Sequence, residues 1–170
     1  MSSLTSLVLE HNNFSGNLPV ALGNLPKLES LLLNSNNFTG ELPETFARLT
    51  TLKIFRIGDN NFTEKIPGFI FQNWTNLKDI RIVASGLSGP VPDIGPSGNL
   101  ESMTLSSCNI IGKLPTSLEN MSELDILDLS FNKLSGEIEI SLPEVRQLFL
   151  TGNMFTGAIP QWILSTNKKM

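Results

Sequence analysis

One pattern of leucine-like residues recurs along the whole chain at intervals of 21 to 25 residues. In residues 28–43, apolar side chains occupy relative positions 1, 4 and 6, an asparagine follows at position 9 and another apolar side chain at position 11. Repetition at such a period is typical of solenoids, in which each repeat forms a coil that buries its apolar side chains against its neighbours. The chain is therefore predicted to be a stack of coils without a single central core. The pattern starts at Leu4, Leu28, Leu52, Leu77, Leu100, Leu124 and Val145.

Each repeat is expected to contain a short strand followed by a turn. Leu31 and Leu33 flank one exposed position, which is the alternation of a strand with one buried face. Asn36 comes after this strand, where its side chain can bond backbone groups of its own and neighbouring coils. Stacked residues of this kind form a ladder that satisfies buried backbone. The ladder positions hold Asn12, Asn36, Asn60, Ser85, Cys108, Asn132 and Asn153.

A second phrase follows the ladder position, reading Ser-Gly-Asn-Leu-Pro in residues 15–19 and returning in 39–43, 88–92, 111–115 and 156–160. Together the two patterns resemble plant-type leucine-rich repeats, which read L-x-x-L-x-L-x-x-N-x-L-[ST]-G-x-[IL]-P. The resemblance implies an α/β solenoid: a right-handed horseshoe or superhelix with a parallel concave β-sheet, an irregular or 3₁₀ convex side, and a second strand on the flank. Glu64 replaces the glycine and Glu139 the proline of this phrase. We therefore expect the second strand to be missing from those two repeats.

Several longer stretches of sequence point to one subgroup of the proteins with such repeats. Residues 55–63, 72–75, 84–87, 127–136 and 150–153 are similar to the ectodomains of plant receptor-like serine/threonine kinases that also carry a malectin-like domain, a membrane span and a kinase. This implies a non-catalytic recognition module at the extracellular face of the plasma membrane, with the kinase outside this chain. Family members usually carry paired cysteines in a capping unit, whereas Cys108 is alone. We therefore expect residues 1–170 to be a single, soluble domain of about seven repeats, excerpted without its caps.

Composition excludes several classes of protein. The net charge of −4 argues against a nucleic-acid partner. No apolar run approaches the roughly 18 residues of a membrane helix, so we expect membrane attachment only through missing parts of the parent chain. His11 lacks a spaced Cys, His or Asp partner, and Cys108 occupies a ladder position that suits structural packing. We therefore predict no catalytic residue, no metal site and no cofactor.

Five N-x-[ST] triplets are candidate glycosylation sites. Three of them follow from the repeat consensus itself, so the expectation of an extracellular protein depends more on the family resemblance than on their number. The candidate asparagines are Asn13, Asn37, Asn61, Asn73 and Asn120.

The positions between the buried leucines should point out of the concave face and offer a binding surface. Arg56 and Arg81 are expected to be neighbours on adjacent strands, with Lys53 and Lys78 one column away. One hypothesis is that the two arginines bind a carboxylate or sulfate of a ligand through charge-assisted bonds. The alternative is that the two arginines form ion pairs within the sheet, with Asp59 and Asp79 as partners, on a surface that only solvent contacts. The central column reads Val8, Leu32, Arg56, Arg81, Thr104, Asp128 and Phe149.

The candidate ligand-binding residues on this face mix both charges with an aromatic side chain. Phe149, like Phe131, is apolar at a position expected to be exposed, either as a contact residue or packed against a neighbour. The expected partner is a peptide, a cell-wall glycan or a protein ligand, with a co-receptor as a further partner. The candidates are Arg56, Arg81, Lys53, Lys78, Thr104, Asp128 and Phe149.

Two alternative functions stay open on the residues alone. One is a secreted repeat protein without a kinase, such as an inhibitor of cell-wall-degrading enzymes, because such proteins also bind on a concave face of plant-type repeats. The other is an intracellular scaffold, which unmodified Asn13, Asn37 and Asn61 in plant-expressed protein would favour.

Overall fold

Short strands follow one another along a coiled chain. The computed structural model describes residues 3–95 and 99–164. Within these ranges the odd-numbered strands form one parallel sheet, in the order of the sequence. Each begins two residues after a predicted repeat start. These strands are β1 (Ser6–Val8), β3 (Ser30–Leu32), β5 (Ile54–Arg56), β7 (Asp79–Arg81), β9 (Ser102–Thr104), β11 (Ile126–Asp128) and β13 (Gln147–Phe149).

The strands pair in phase, so that equivalent residues of successive repeats lie side by side. Leu7 is opposite Leu31, which is opposite Phe55, and the same register continues to the last strand. The middle residue of an inner strand is fully buried, as Leu31 and Phe55 are. The residues on either side of it point outward and form the concave face, the outer side of the sheet of odd-numbered strands. The predicted alternation is confirmed.

The even-numbered strands lie on the flank of the stack. Within the described residues, β2, β4 and β6 form one sheet, and β8, β10, β12 and β14 form a second. Where the two flank sheets meet, the coils are joined on the flank by an isolated bridge from Lys65 to Ser88 and by backbone hydrogen bonds, such as that from the N–H of Phe62 to the carbonyl oxygen of Ser85. The flank strands are β2 (Ser15–Asn17), β4 (Asn37–Gly40), β6 (Asn61–Phe62), β8 (Gly89–Pro90), β10 (Ile110–Gly112), β12 (Lys133–Glu137) and β14 (Met154–Thr156).

The two repeats that depart from the flank phrase behave differently from each other. In the repeat with Glu64, β6 is shortened to two residues and ends before Glu64, whose φ is +69°. The expectation of a missing strand was wrong for both repeats, because β6 pairs with β4 and β12 pairs with both β10 and β14. Its Ser135-Gly136 phrase is intact, and backbone pairing there does not need the proline that Glu139 replaces.

Short helices return the chain on the convex side. The 3₁₀ helices η1 (Val20–Asn24), η2 (Glu44–Arg48) and η3 (Thr116–Asn120) confirm the expected convex turns, and α1 (Phe69–Asn73) and α2 (Gln161–Leu164) are short α-helices. Trp74 follows α1 and is fully buried, with its ring edge-on to Phe55 at a centroid distance of 4.9 Å. It fills the convex core.

Burial depends on having a coil on each side. Leu28 and Leu31 are inaccessible, whereas the equivalent Leu4 and Leu7 of the first coil are half-buried. Phe38 is similarly buried on the flank, but Phe14, stacked on it at 6.2 Å between ring centroids, is 46% exposed. The apolar side chains therefore contribute through contacts between coils, as expected for a stack of this kind.

The ladder asparagines connect these coils by hydrogen bonds. Asn60 donates through Nδ2 to the carbonyl oxygen of Leu33 in the preceding coil at 3.0 Å and to that of Ile57 in its own coil at 3.1 Å. Its Oδ1 accepts the backbone N–H of Phe38 at 3.0 Å. Cys108 takes the place of an asparagine through Sγ, which lies 2.8 Å from the carbonyl oxygen of Ile82. The predicted ladder is confirmed at these positions.

The residue immediately before each ladder position has a left-handed backbone conformation, which the sequence pattern did not identify. In six of these positions among the described residues the side chain is not glycine, although this conformation costs about 1–2 kcal/mol for other residues. The turn at the end of each strand requires it. The residues, with φ between +47° and +70°, are His11, Ser35, Asp59, Ala84, Ser107, Phe131 and Gly152.

Candidate ligand-binding face

The concave face is positioned by the strand register. Arg56 ends β5 and Arg81 ends β7, and the two are register partners in adjacent parallel strands. The neighbouring column places Asp79 beside them, at the start of β7. The sequence-predicted adjacency of the two arginines is therefore present in the structure.

One carboxylate lies between the two guanidinium groups. The Nε of Arg56 donates to Oδ2 of Asp79 at 2.7 Å, and the Nε of Arg81 lies 3.6 Å from Oδ1 of the same residue. Asp59, the other predicted partner, instead contacts the hydroxyl of Ser35 at 3.5 Å. The Asp79 side chain is 16% exposed, whereas that of Arg56 is 31% and that of Arg81 is 50% exposed. The two arginines thus share one half-buried negative charge and leave one net positive charge at the surface.

The lysines one column away are engaged in salt bridges along their own column. All these groups lie at the position just before a strand, and exposed pairs of this type contribute about 0–1 kcal/mol. The hydrogen bond that Lys78 donates to the carboxylate of Glu101 raises the pKa of Lys78 above its usual value. Along this column, Lys53 pairs with Glu29 at 2.8 Å, Lys78 with Glu101 at 2.6 Å, and Arg146 with Asp125.

The salt-bridge partners of Lys53 and Lys78 could have been predicted by comparing equivalent positions of successive repeats. Glu29, Glu101, Asp125 and Arg146 occupy the same repeat position as Lys53 and Lys78. Because adjacent repeats place equivalent positions side by side, alternating charge in one column indicates salt bridges along it.

The C-terminal half of the central column carries a second, negative site. Thr104 and Asp128 are half-buried and belong to the same column as Arg81, with Thr104 next to Arg81 and Asp128 next to Thr104. The carboxylate of Asp128 accepts a hydrogen bond from the backbone N–H of Ser130 at 2.9 Å and another from its hydroxyl. Among the described residues, no cation lies within salt-bridge distance of Asp128. Its negative charge therefore faces the surface uncompensated.

Two phenylalanines expose apolar surface at the same end of the face. Phe149 completes the column on β13 and is 46% exposed. Phe131, 62% exposed, lies over Gly152, where an added Cβ would be 2.7 Å from its ring. Phe131 thus packs against a neighbouring repeat, which is one of the two alternatives given for these residues. Both rings nevertheless keep a large exposed area that a ligand could contact.

The candidate glycosylation sites are all exposed and lie away from the concave face. Asn13, Asn37 and Asn61 follow one another along the flank, and the amide of Asn37 donates to Oδ1 of Asn13 at 2.9 Å. Asn73 and Asn120 end convex helices, at the last residues of α1 and η3. Glycans at these positions would leave the concave face uncovered.

Chemistry other than binding finds little support in the described parts of the chain. They contain no cluster of three His, Cys, Asp or Glu side chains suited to a metal ion. His11 is exposed at the turn after β1, and Cys108 is buried, which raises the pKa of its thiol. A convex cleft between Met121 and Pro143 has a volume of about 150 Å³, well below the roughly 300–1,000 Å³ of a small-molecule site. No described helix is both long enough and apolar enough to span a bilayer.

Comparison with known proteins identifies the repeats. The model of the leucine-rich repeat matches residues 3–25, 27–49, 99–121 and 123–145, together more than half of the chain. Receptor like protein 27 of Arabidopsis thaliana is 35% identical over 94 residues, which cover 51% of this chain and 11% of that protein.

Solved structures agree with this match over almost the whole chain. The ectodomain of the Arabidopsis thaliana receptor kinase GASSHO1/SCHENGEN3, in complex with CASPARIAN STRIP INTEGRITY FACTOR 2, superposes with a TM-score of 0.87 at 34% identity, covering 96% of this chain and 20% of that one. The Arabidopsis receptor kinase HAESA ectodomain, bound to an IDA peptide hormone, gives 0.71 at 27% identity over 96% of this chain and 32% of that one. The chain thus spans a third or less of these relatives. It belongs to the leucine-rich-repeat family, in the form found in the ectodomains of plant receptor kinases and receptor-like proteins.

Proposed function

We propose that this chain is a non-catalytic recognition module that binds an extended peptide across its concave face. Arg56 and Arg81 bind an anionic group of the ligand, and Thr104, Asp128 and Phe149 contact the segment that follows it. The observation that carries the proposal is that two guanidinium groups share the single carboxylate of Asp79.

Charge balance at this site favours an anionic ligand. Like charges directly opposite on adjacent strands are destabilising, and Asp79 offsets only one of them. The guanidinium of Arg81 is half-exposed and 3.6 Å from Asp79, so it can bind a carboxylate or sulfate without first losing a short hydrogen bond. Lys53 and Lys78 flank the site, and their exposed salt bridges are weak enough to rearrange.

Similar proteins support a peptide as the ligand class. HAESA is described in complex with a peptide hormone, and the chain is 27% identical to its ectodomain. A parallel sheet with strands about 4.8 Å apart presents regularly spaced side chains along its surface, which suits an extended chain. The small cleft on the convex side does not suit a ligand of that size.

The parent protein is proposed to act at the surface of a plant cell, with this module outside the plasma membrane. The relatives among plant receptors and the exposed glycosylation triplets on the flank and convex side support this location. A kinase and a co-receptor would belong to the signalling assembly around it. Glycans on Asn13, Asn73 or Asn120 of the plant-expressed protein, found by mass spectrometry of its peptides, test the location. A protein with none of the triplets modified would contradict it.

Selection from a displayed library of random peptides tests the binding itself. Enriched peptides are expected to bind the wild-type chain and to lose at least tenfold in affinity for Arg56→Glu/Arg81→Glu, with unchanged circular dichroism. The matched control is Lys113→Glu, a charge reversal of a cation paired with Glu139 outside the concave sheet, which should bind like the wild type. Equal binding to the double variant, or no enrichment at all, would overturn the proposal.

A further inference from the structure

Resting on the proposed function, we infer that the concave face selects its peptide by the order of charges. An acidic residue lies over Arg56 and Arg81, a basic residue lies about three positions along over Asp128, and an apolar residue lies next to it over Phe149. The ligand is therefore a peptide with separated charges of opposite sign.

The spacing follows from the register of the sheet. Arg81, Thr104, Asp128 and Phe149 occupy one column on successive strands. Strands about 4.8 Å apart place Asp128 roughly 10 Å and Phe149 roughly 14 Å from the column position of Arg81. An extended peptide advances about 3.3 Å per residue, so these distances correspond to about three and four residues.

The two charged sites have opposite signs and different local partners. The arginine pair keeps a net positive charge because Asp79 is shared between its members. Asp128 binds only Ser130 of its own strand end among the contacts of the described residues, so its charge is available to a ligand cation. A peptide with its charges exchanged would place an acid over Asp128 and a base over the arginines, and both contacts would be repulsive.

The residues around the two charged sites add no net charge that would change the order of charges along the column. Thr104 separates the two sites and carries no charge. The column of lysines and acids beside them is balanced within itself by the pairs of Lys53 with Glu29 and Lys78 with Glu101. Beyond Asp128, the exposed ring of Phe149 offers apolar contact area to the end of the same peptide segment.

The test begins with sequences enriched from a displayed library of random 12-residue peptides. Enriched peptides should carry an acid and a base about three residues apart with an apolar residue beside the base, in one chain direction. In the tightest of them, exchanging the acid and the base keeps the composition and should weaken binding at least tenfold. The charge-exchanged variant Arg81→Glu/Asp128→Lys should reverse this preference.

Each outcome separates the inference from the proposed function. Enriched peptides that lose affinity for Arg56→Glu/Arg81→Glu but tolerate exchange of their charges would overturn the charge order and keep the binding face. Peptides that bind Arg56→Glu/Arg81→Glu as well as the wild type would overturn both. Two results together support the inference. The variant Arg81→Glu/Asp128→Lys binds the charge-exchanged peptide more tightly than the original, and Phe149→Ser weakens binding of the original peptide but not of a version whose apolar residue is replaced.

Discussion

The backbone carbonyl oxygen of Phe62 lies where a side chain on Gly86 would begin, since a Cβ there would be 2.1 Å from it. This approach lets the N–H of Phe62 donate to the backbone carbonyl oxygen of Ser85 at 2.8 Å. In the preceding coil the equivalent N–H, that of Phe38, is accepted by the side chain of Asn60. A closer backbone thus compensates for the missing ladder asparagine at Ser85.

Substitution of Gly86 by alanine should therefore be far more harmful than the same change at Gly112. Both glycines have φ near +90°, but nothing lies within 4 Å of a Cβ at Gly112. Gly112→Ala should cost about 1–2 kcal/mol for the left-handed conformation, and Gly86→Ala a further 1–3 kcal/mol or so because the coils must separate. Urea unfolding of both variants measures the difference. Equal losses would show that the coils do not depend on this close approach.

Loss of an interior ladder asparagine should destabilise the stack. Asn60→Ala leaves the buried N–H of Phe38 without its acceptor and removes one of the two side-chain donors to the carbonyl oxygen of Leu33, of which Asn36 remains. The expected cost is roughly 2–4 kcal/mol in the free energy of unfolding. The control is Asn12→Ala in the exposed first coil, where the side chain bonds only carbonyl groups of its own turn, and its cost should be under about 1 kcal/mol. A similar loss in both variants would contradict the role of the ladder between coils.

The indole of Trp74 contributes a hydrogen bond as well as volume. Its Nε1 donates to the carbonyl oxygen of Phe46 at 2.8 Å in a fully buried site. Trp74→Phe should lower the free energy of unfolding by about 1–3 kcal/mol, because this carbonyl keeps only the backbone N–H of Leu49 as a donor and a small cavity remains. Circular dichroism during urea unfolding measures it. No measurable change would mean that the convex core rearranges around the smaller ring.

Replacing glutamate by glycine at position 64 should stabilise the folded protein. Glu64 is exposed and has φ of +69°, a conformation that is strained for a residue with a side chain. Glu64→Gly is expected to raise the unfolding free energy by about 0.5–1 kcal/mol. Glu41→Gly, at an exposed flank residue with negative φ, should lower it by about as much. Thermal unfolding compares the two variants, and destabilisation by Glu64→Gly would refute the idea of strain.

The salt bridge between Asp125 and Arg146 should make the free energy of unfolding depend on pH in the acid range. The side-chain hydrogen bond from Arg146 holds the pKa of Asp125 below its usual value near 3.8. A carboxyl group whose pKa is lowered in the folded state stabilises it at pH above the unfolded pKa, and this contribution is lost as the pH falls through the folded value. The stability difference between wild type and Arg146→Gln should thus be constant at neutral pH and vanish in acid. Urea midpoints from about pH 7 to pH 2 measure it, and a difference that grows on acidification would be inconsistent with this pair.

Much of the concave face could be predicted from spacing alone. The repeat starts placed Arg56 beside Arg81 and Asp128 beside Phe149, and the structure has both pairs in register. Spacing could not say which acid neutralises the arginines. Asp79 does so because it points out of the same sheet, whereas Asp59 occupies a left-handed turn that directs it to Ser35.

The flank shows the same division between pattern and structure. The sequence indicated that Glu64 and Glu139 interrupt the flank phrase, but both repeats form the strand, with two residues in β6 and five in β12. Pairing with β10 and β14 supports β12 on both sides. Whether a strand forms depends on neighbouring coils that a single repeat does not reveal.

The sequence by itself determined the period, the residues that face the core and the columns that cross the sheet, because in a stack of coils equal position in the repeat means contact in space. Only the tertiary structure decided how charges are shared, how Ser85 replaces an asparagine, and which turn residues adopt left-handed conformations. Those features depend on distances of a few tenths of an ångström between coils, which the repeat pattern does not encode.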